Sequence, residues 1–394
     1  MLYHNVLIKK YTKQTLNSML ESFYTQWKNR YVREVKGNHF LQEYIYYSYD
    51  QPDFWPAITC SEAMGYGMVI FSIMSRFDKE AKKHFVKLYH YVKSYPSCFN
   101  NNLMAWQQIQ MPDGTIKNVS IETSSATDGD MDICYGLFLA DKLWGSHDGI
   151  RFGDEAFRRM NALMDSCVNN QYNMLFLGDW VPWDKTSNFQ YVTRCSDFML
   201  YVIRNFIYYD RANRWKWESL YHSLAEIIND QLSGCSKNIG LMPDFLLKVN
   251  GKSVPAPFQV LESKHDGDYY YNSCRVPWRY AMDSILNHTE PEKQLKIMNS
   301  FIRTSTGDNP DSIMSGYYVA NGIPGLAFGE ADNLAFIAPF LVSSLAESGN
   351  EDWTLRLWEK IMSKSIEQCC FYENTLKLLA MIAATGNWLD PMHL

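Results

Sequence analysis

Residues 59–68 read Thr-Cys-Ser-Glu-Ala-Met-Gly-Tyr-Gly-Met and open a segment that continues through Val69, Ile70, Phe71 and Ile73. The segment is apolar almost all round, so its periodicity predicts a helix buried on every side. It holds two residues such a helix should avoid. Glu62 places a carboxylate in the first turn, and Gly65 and Gly67 each cost a helix interior about 1 kcal/mol against alanine. The glycines imply that another backbone, or a ligand, comes close. The glutamate implies a use for an acid whose pKa burial would raise. A first-turn glutamate complementing the helix dipole is the ordinary reading, with Ser61 as the cap.

Working outward, about twelve segments share the 3.6-residue apolar period: 13–30, 62–76, 78–94, 130–144, 154–169, 194–208, 213–231, 275–287, 291–304, 330–347, 351–364 and 371–386. Asp78, Ser196 and Thr289 stand at or near boundaries as caps. Short connections join 62–76 to 78–94 and 275–287 to 291–304, whereas longer loops separate the pairs. This is a chain of about six helical hairpins. No repeat of fixed period argues for an open solenoid. The expected fold is therefore all-α, one closed toroid of hairpins over residues 1–394, with long loops on one end. Two β-hairpins are expected in those loops, around Pro112-Asp113-Gly114-Thr115 and at Asn250-Gly251.

Composition bounds the function. The 394 residues are 46% hydrophobic and 15% aromatic, with a net charge of −6. An acidic balance argues against a general nucleic-acid binder, and no apolar run reaches transmembrane length. The first residues lack a signal-peptide pattern, so action inside the cell is one expectation. Nine cysteines without a CxxC pattern fit reduced thiols. Zinc spacings, phosphate loops and a GxSxG elbow are missing from the sequence. No metal or cofactor is expected. Twelve tryptophans and 26 tyrosines suit either a large core or a ring-lined groove for sugars.

A second acidic cluster, Ser125-Ala126-Thr127-Asp128-Gly129-Asp130-Met131-Asp132, precedes an apolar run. It invites a calcium-loop reading but lacks the required glycine and terminal glutamate. It can cap a helix, or it can aim a carboxylate at the cleft that Glu62 faces.

These two stretches, with LMAWQ (103–107), LGDW (177–180), TRCSDF (193–198), YYYNSCRVPWR (269–279) and NLAFIAPF (333–340), resemble glycoside hydrolase family 8 over roughly residues 50–390. The resemblance implies an (α/α)6 barrel and an inverting β-glycanase, with Glu62 as general acid. Asp128 would grip and distort the sugar at the cleavage point. Trp106 and Trp180 would stack on sugar rings, and Tyr271 and Arg275 would line the central subsite beside Asp197. In the endoglucanase branch an aspartate general base stands where this chain has Asn272. The resemblance to the chitosanase and lichenase branch instead implies Glu262 as base, with Asp266 and Asp268 as rivals. The expected substrate is β-1,4-glucan, mixed-linkage β-glucan or chitosan, and Asp179, Asp197, Asp266 and Asp268 would suit the cationic polymer. A monomer is expected, and secretion is usual in the family. The other reading is a carbohydrate-binding protein on a fold that has lost catalysis.

Overall fold

A computed structural model describes residues 5–35, 41–48, 57–120, 123–289 and 293–394. Its helices are α1 (Leu7–Lys10), α2 (Lys13–Tyr31), α3 (Ser61–Met74), α4 (Ala81–Ser94), α5 (Thr127–Trp144), α6 (Phe152–Ser166), α7 (Leu200–Tyr209), α8 (Arg214–Gln231), α9 (Val276–Asn287), α10 (Lys293–Thr306), α11 (Leu334–Leu345), α12 (Glu351–Ser363) and α13 (Phe371–Ala384). Helices α3, α5, α7, α9, α11 and α13 form an inner ring, in which each of the first five packs on the next. The even-numbered helices lie outside, and α2 bridges α13 to α3 through a Trp27–Thr375 hydrogen bond of 2.9 Å and Trp27 and Tyr24 on Phe71. This is the (α/α)6 barrel expected from the sequence.

The ring positions follow from side-chain patterning. Every residue of α11 is buried, as is every residue of α3 except Glu62. The outer α4, α6 and α12 bury one stripe each. A polar layer crosses the barrel centre. Arg279 donates to Asp132 at 2.9 Å and to Tyr201 at 2.6 Å, with its guanidinium 3.9 Å from the Trp278 ring. The C-terminal residues close one end, where Tyr135 donates to Leu389 O at 2.7 Å and Asn205 to Asp390 at 3.0 Å. Loops and hairpins cover the other end, at the N-termini of the inner helices.

Two hairpins lie where the sequence puts them. Gln107–Gln110 pairs with Ile116–Asn118, and Phe245–Val249 with Lys252–Pro255. At the second turn Asn250 and Gly251 have φ of 50° and 81°, as a type I′ turn requires.

Several boundaries differ from the sequence reading. Helix α7 begins at Leu200 instead of 194, because Val192–Arg194 pairs with Phe245–Leu247 as a strand and Cys195–Asp197 form a tight turn. Helix α11 begins at Leu334 instead of 330, because Ala327–Ala331 pairs with Met314–Tyr317 and Asn333 caps at 2.9 Å. Helix α6 stops at Ser166, where Val168–Asn169 pairs with Met174–Leu175. Helix α5 starts three residues earlier than expected. The first two residues of the 291–304 segment lie outside the described residues. Ser61 is not the cap of α3. The cap position is Cys60, and the Ser61 hydroxyl finds no hydrogen-bond partner among the described residues.

The glycines of the opening stretch have separate explanations. A Cβ on Gly65 would meet Asp132 Cβ at 2.7 Å and Gly129 O at 2.9 Å. Reciprocally, a Cβ on Gly129 would meet Ser61 C at 2.6 Å and Glu62 N at 2.7 Å. Gly65 and Gly129 thus let α3 and α5 touch backbone to backbone. Gly67 faces elsewhere, onto Ile45 and Leu88, and belongs to wall packing instead of the cleft floor.

Candidate active site

The close approach of α3 and α5 sets Glu62 and Asp128 side by side in the first turns of two inner helices. Both carboxylates sit at positive helix ends, which favours negative charge there. Arg275, just before α9, reaches both. Its Nη1 donates to Glu62 Oε2 and, at 2.7 Å, to Asp128 Oδ2. Its Nη2 donates to Ser196 at 2.8 Å and to Asn272 Oδ1 at 3.1 Å. Arg194 flanks Asp128 from the other side at 3.0 Å.

These surroundings push the two carboxyls apart in acidity. Burial raises the Glu62 pKa to about 7, against the pull of Arg275 and with help from the negative Asp128. Burial also opposes ionisation of Asp128, but Arg194 and Arg275 outweigh it and hold the carboxyl well below its usual range. One group can carry a proton near neutrality while its neighbour remains anionic. That separation suits acid catalysis beside a fixed charge.

A cleft of about 530 Å³ opens over this pair. Trp106 stands in its wall, half exposed, on the strand edge that follows the bond from Ser61 N to Trp106 O. Tyr271 lines it from the far side, with its hydroxyl 3.3 Å from Asn333 Nδ2. Glu262 also faces the cleft. It sits in the loop between Pro255 and Tyr269, and its Oε2 accepts from Asn272 Nδ2 at 2.8 Å. Asn272 is held in turn by Asp244, which accepts its backbone N–H at 3.2 Å and the backbone and hydroxyl of Ser273 at 2.7 and 2.6 Å.

Glu62, Asp128, Glu262, Trp106, Tyr271, Asn272 and Arg275 therefore converge. The other expected residues do not line the cleft. Trp180 packs edge-on to Phe189 at 4.9 Å, over Phe176, Leu177 and Val181. Asp197 is fully buried behind Arg194, which it accepts at 2.9 and 3.2 Å, and burial raises its pKa to about 6. Asp179 accepts from Ser97 at 2.6 Å and from Ser125 N at 2.8 Å. Asp266 and Asp268 are buried; Asp266 accepts backbone N–H groups of its own loop, and Asp268 those of Val319, Ala320 and Asn321 in the neighbouring loop. None of these four acids adds charge to the groove. The three aspartates of the DGDMD run diverge as helix spacing dictates: Asp128 meets Arg275, Asp130 meets Arg159 and Asp132 meets Arg279. Among the described residues no group of three or more His, Cys, Asp or Glu side chains could hold a metal ion.

Sequence reading missed Arg194, although TRCSDF contains it, and missed the α13 start, where Phe371, Tyr372 and Glu373 form one wall. Tyr372 donates to Tyr271 O at 3.0 Å. An arginine three residues from an acid was the available signal for Arg194.

Residues 13–386 match the family model of glycosyl hydrolases family 8. The chain belongs to that family. It is a glycoside hydrolase of the type represented by its β-glucanase and endoglucanase relatives. A beta-glucanase of Niallia circulans is 36% identical over 96% of this chain and 86% of its own length. An endoglucanase of Bacillus sp. strain KSM-330 is 30% identical over 97% and 78%. The solved apo structure of a beta-1,3-1,4-glucanase from Paenibacillus sp. X4 superposes with a TM-score of 0.85 at 35% identity, covering 96% of this chain and 94% of that one. In this family-8 hydrolase, the helix N-termini of the inner ring thus carry an acid pair, an arginine bridge and an aromatic wall.

Proposed function

We propose that the chain, as one catalytic domain over residues 1–394, is a monomeric, inverting, endo-acting glucanase that cuts β-1,4 linkages in mixed-linkage β-glucan. The observation that carries this reading is the bridge across the cleft: Glu62 meets Arg275, Arg275 meets Asn272, and Asn272 meets Glu262. An inverting hydrolase needs an acid and a base on opposite sides of the bond, roughly 6.5–9.5 Å apart, with water between. Glu62, protonated near neutral pH, gives its proton to the leaving oxygen. Glu262 takes a proton from the water that attacks the anomeric carbon. Asp128 stays anionic between two arginines, accepts from sugar hydroxyls, and stabilises positive charge developing on the ring. Trp106 and Tyr271 offer faces for neighbouring sugars.

The relatives named for β-glucan, at 35–36% identity, favour that polymer. Chitosan is the weaker choice, because the four acids that would attract a cationic polymer are buried and satisfied. The test is product formation from barley β-glucan, carboxymethyl-cellulose and chitosan, with the Glu62→Gln and Glu262→Gln variants alongside. We expect β-glucan to be cut best, with an α-anomeric first product, and both variants to lose ~10²-fold or more. A Glu262→Gln variant of full activity would remove Glu262 from the base role.

A further inference from the structure

Glu262 is an exposed residue in a loop, between the strand ending at Pro255 and Tyr269, that forms no helix or strand of its own. A glutamate in that setting ordinarily samples many positions. A general base must instead hold a water in line with the reacting carbon, where a misplacement of about 1 Å can cost 10²-fold. The loop's own sequence resolves the conflict. The carboxylate of Asp266 gathers three consecutive backbone N–H groups: Leu261 at 2.7 Å, Glu262 at 3.0 Å and Ser263 at 2.8 Å. Asp266 N donates back to Ser263 O at 3.2 Å, which closes the turn. Asp266 itself is fully buried, and Phe245 N donates to its carbonyl at 2.8 Å, tying the turn to a core strand.

A second anchor lies two residues on. Asp268 accepts the N–H groups of Val319, Ala320 and Asn321 at 2.9–3.1 Å, and the ring of His265 stacks on Phe328 at 4.0 Å. The backbone beneath Glu262 is therefore fixed from within the loop and locked to the next one. Its side-chain tip is fixed from the opposite side by Asn272.

We propose that Asp266 is a positioning residue for the general base: its buried carboxylate clamps the backbone of residues 261–263 and so places the Glu262 carboxylate over the cleft. This rests on Glu262 being the base. The three backbone donors on the Asp266 side chain centre on Glu262, the loop residue that lines the cleft. Asparagine at 266 keeps the size but leaves only one acceptor oxygen, and its amide nitrogen faces N–H groups that it cannot accept.

The experiment is a double-mutant cycle on a 2,4-dinitrophenyl β-cellooligosaccharide. Its leaving group departs as the phenolate and needs no acid. Azide serves as replacement nucleophile: it forms the bond to the anomeric carbon as the bond from that carbon to the phenolic oxygen breaks, the electron pair leaves with the phenolate, and no proton has to be removed. We expect Asp266→Asn to lower kcat ~10- to 100-fold with KM nearly unchanged. In the Glu262→Ala background with azide, where no base is left to position, the same substitution should cost less than 2-fold. An equal loss in both backgrounds would overturn the proposal and make Asp266 a support of the whole cleft. An unchanged kcat in the single variant would overturn it too. If azide fails to restore Glu262→Ala, the fault lies with Glu262 as base, and the two failures are told apart. Should Asp266→Asn not fold by circular dichroism, Asp266→Glu keeps the charge but shifts the acceptor, and the same cycle applies.

Discussion

The side-chain amide of Asn272 donates to Glu262 at 2.8 Å while its oxygen accepts from Arg275 at 3.1 Å. The guanidinium and the carboxylate between them fix which way the amide points. An aspartate at 272 would keep the bond to Arg275 but lose the donor to Glu262, and would set two anions in contact. Without the donor the Glu262 carboxylate is no longer held over the cleft, so Asn272→Asp should lower kcat ~10-fold with KM nearly unchanged. An unchanged kcat would mean that the amide does not hold Glu262 in place.

How far the sequence reaches can be judged at particular residues. Helices α3 and α13 are legible because their apolar content persists through every turn, and the Asn250-Gly251 turn because its chemistry is local. The starts of α7 and α11 are not legible. There, strand pairing with segments distant in sequence overrides a helical period. The same limit applies in the cleft. Glu62 is visible as an acid in an apolar helix, but its pKa depends on Arg275, 213 residues away. Asp266 and Asp268 read as candidate bases because sequence shows a carboxyl but not the N–H groups that occupy it. Asp197 was singled out from its motif, whereas its partner Arg194 is the residue that faces Asp128.

The raised pKa of Glu62 fixes the sign of two pH effects. As general acid it must be protonated, so kcat/KM should fall as pH rises through about 7. For stability, the folded state binds the proton more tightly than the unfolded chain, so the contribution is complete below the ordinary glutamate pKa and is lost as pH rises toward 7. Glu62→Gln should therefore abolish the basic limb together with most activity. It should also raise the melting temperature relative to wild type at pH 8, and the difference should shrink toward pH 5. A gain of the same size at both values would contradict burial of an ionisable group as its cause.

Contact between α3 and α5 is set by glycine. On Gly129 a methyl group would run into the Ser61 carbonyl carbon and the Glu62 nitrogen, which are backbone atoms and cannot rotate away. Gly129→Ala should destabilise the fold by about 1–3 kcal/mol and lower kcat, because the helices that hold Glu62 and Asp128 must separate. Gly67→Ala meets only side-chain atoms of Ile45 and Leu88, so activity at saturating substrate should be retained. Thermal unfolding and kcat measured on both variants check the contrast. Equal losses of kcat would show that the α3–α5 spacing does not control the site.

Trp106 separates binding from folding. Half of its surface is exposed, and it stands in the cleft wall. Removing the ring takes away contact with a sugar but leaves no buried cavity, so Trp106→Ala should change the melting temperature little. If the ring binds ground state and transition state alike, KM should rise ~10-fold at constant kcat. If it holds a distorted sugar, kcat falls as well, because that binding energy is expressed only on the way to cleavage. Initial rates on β-glucan oligosaccharides of increasing length distinguish the two. A platform for a sugar beside the cleavage point affects every length, whereas a more distant one matters only once the chain is long enough to reach it.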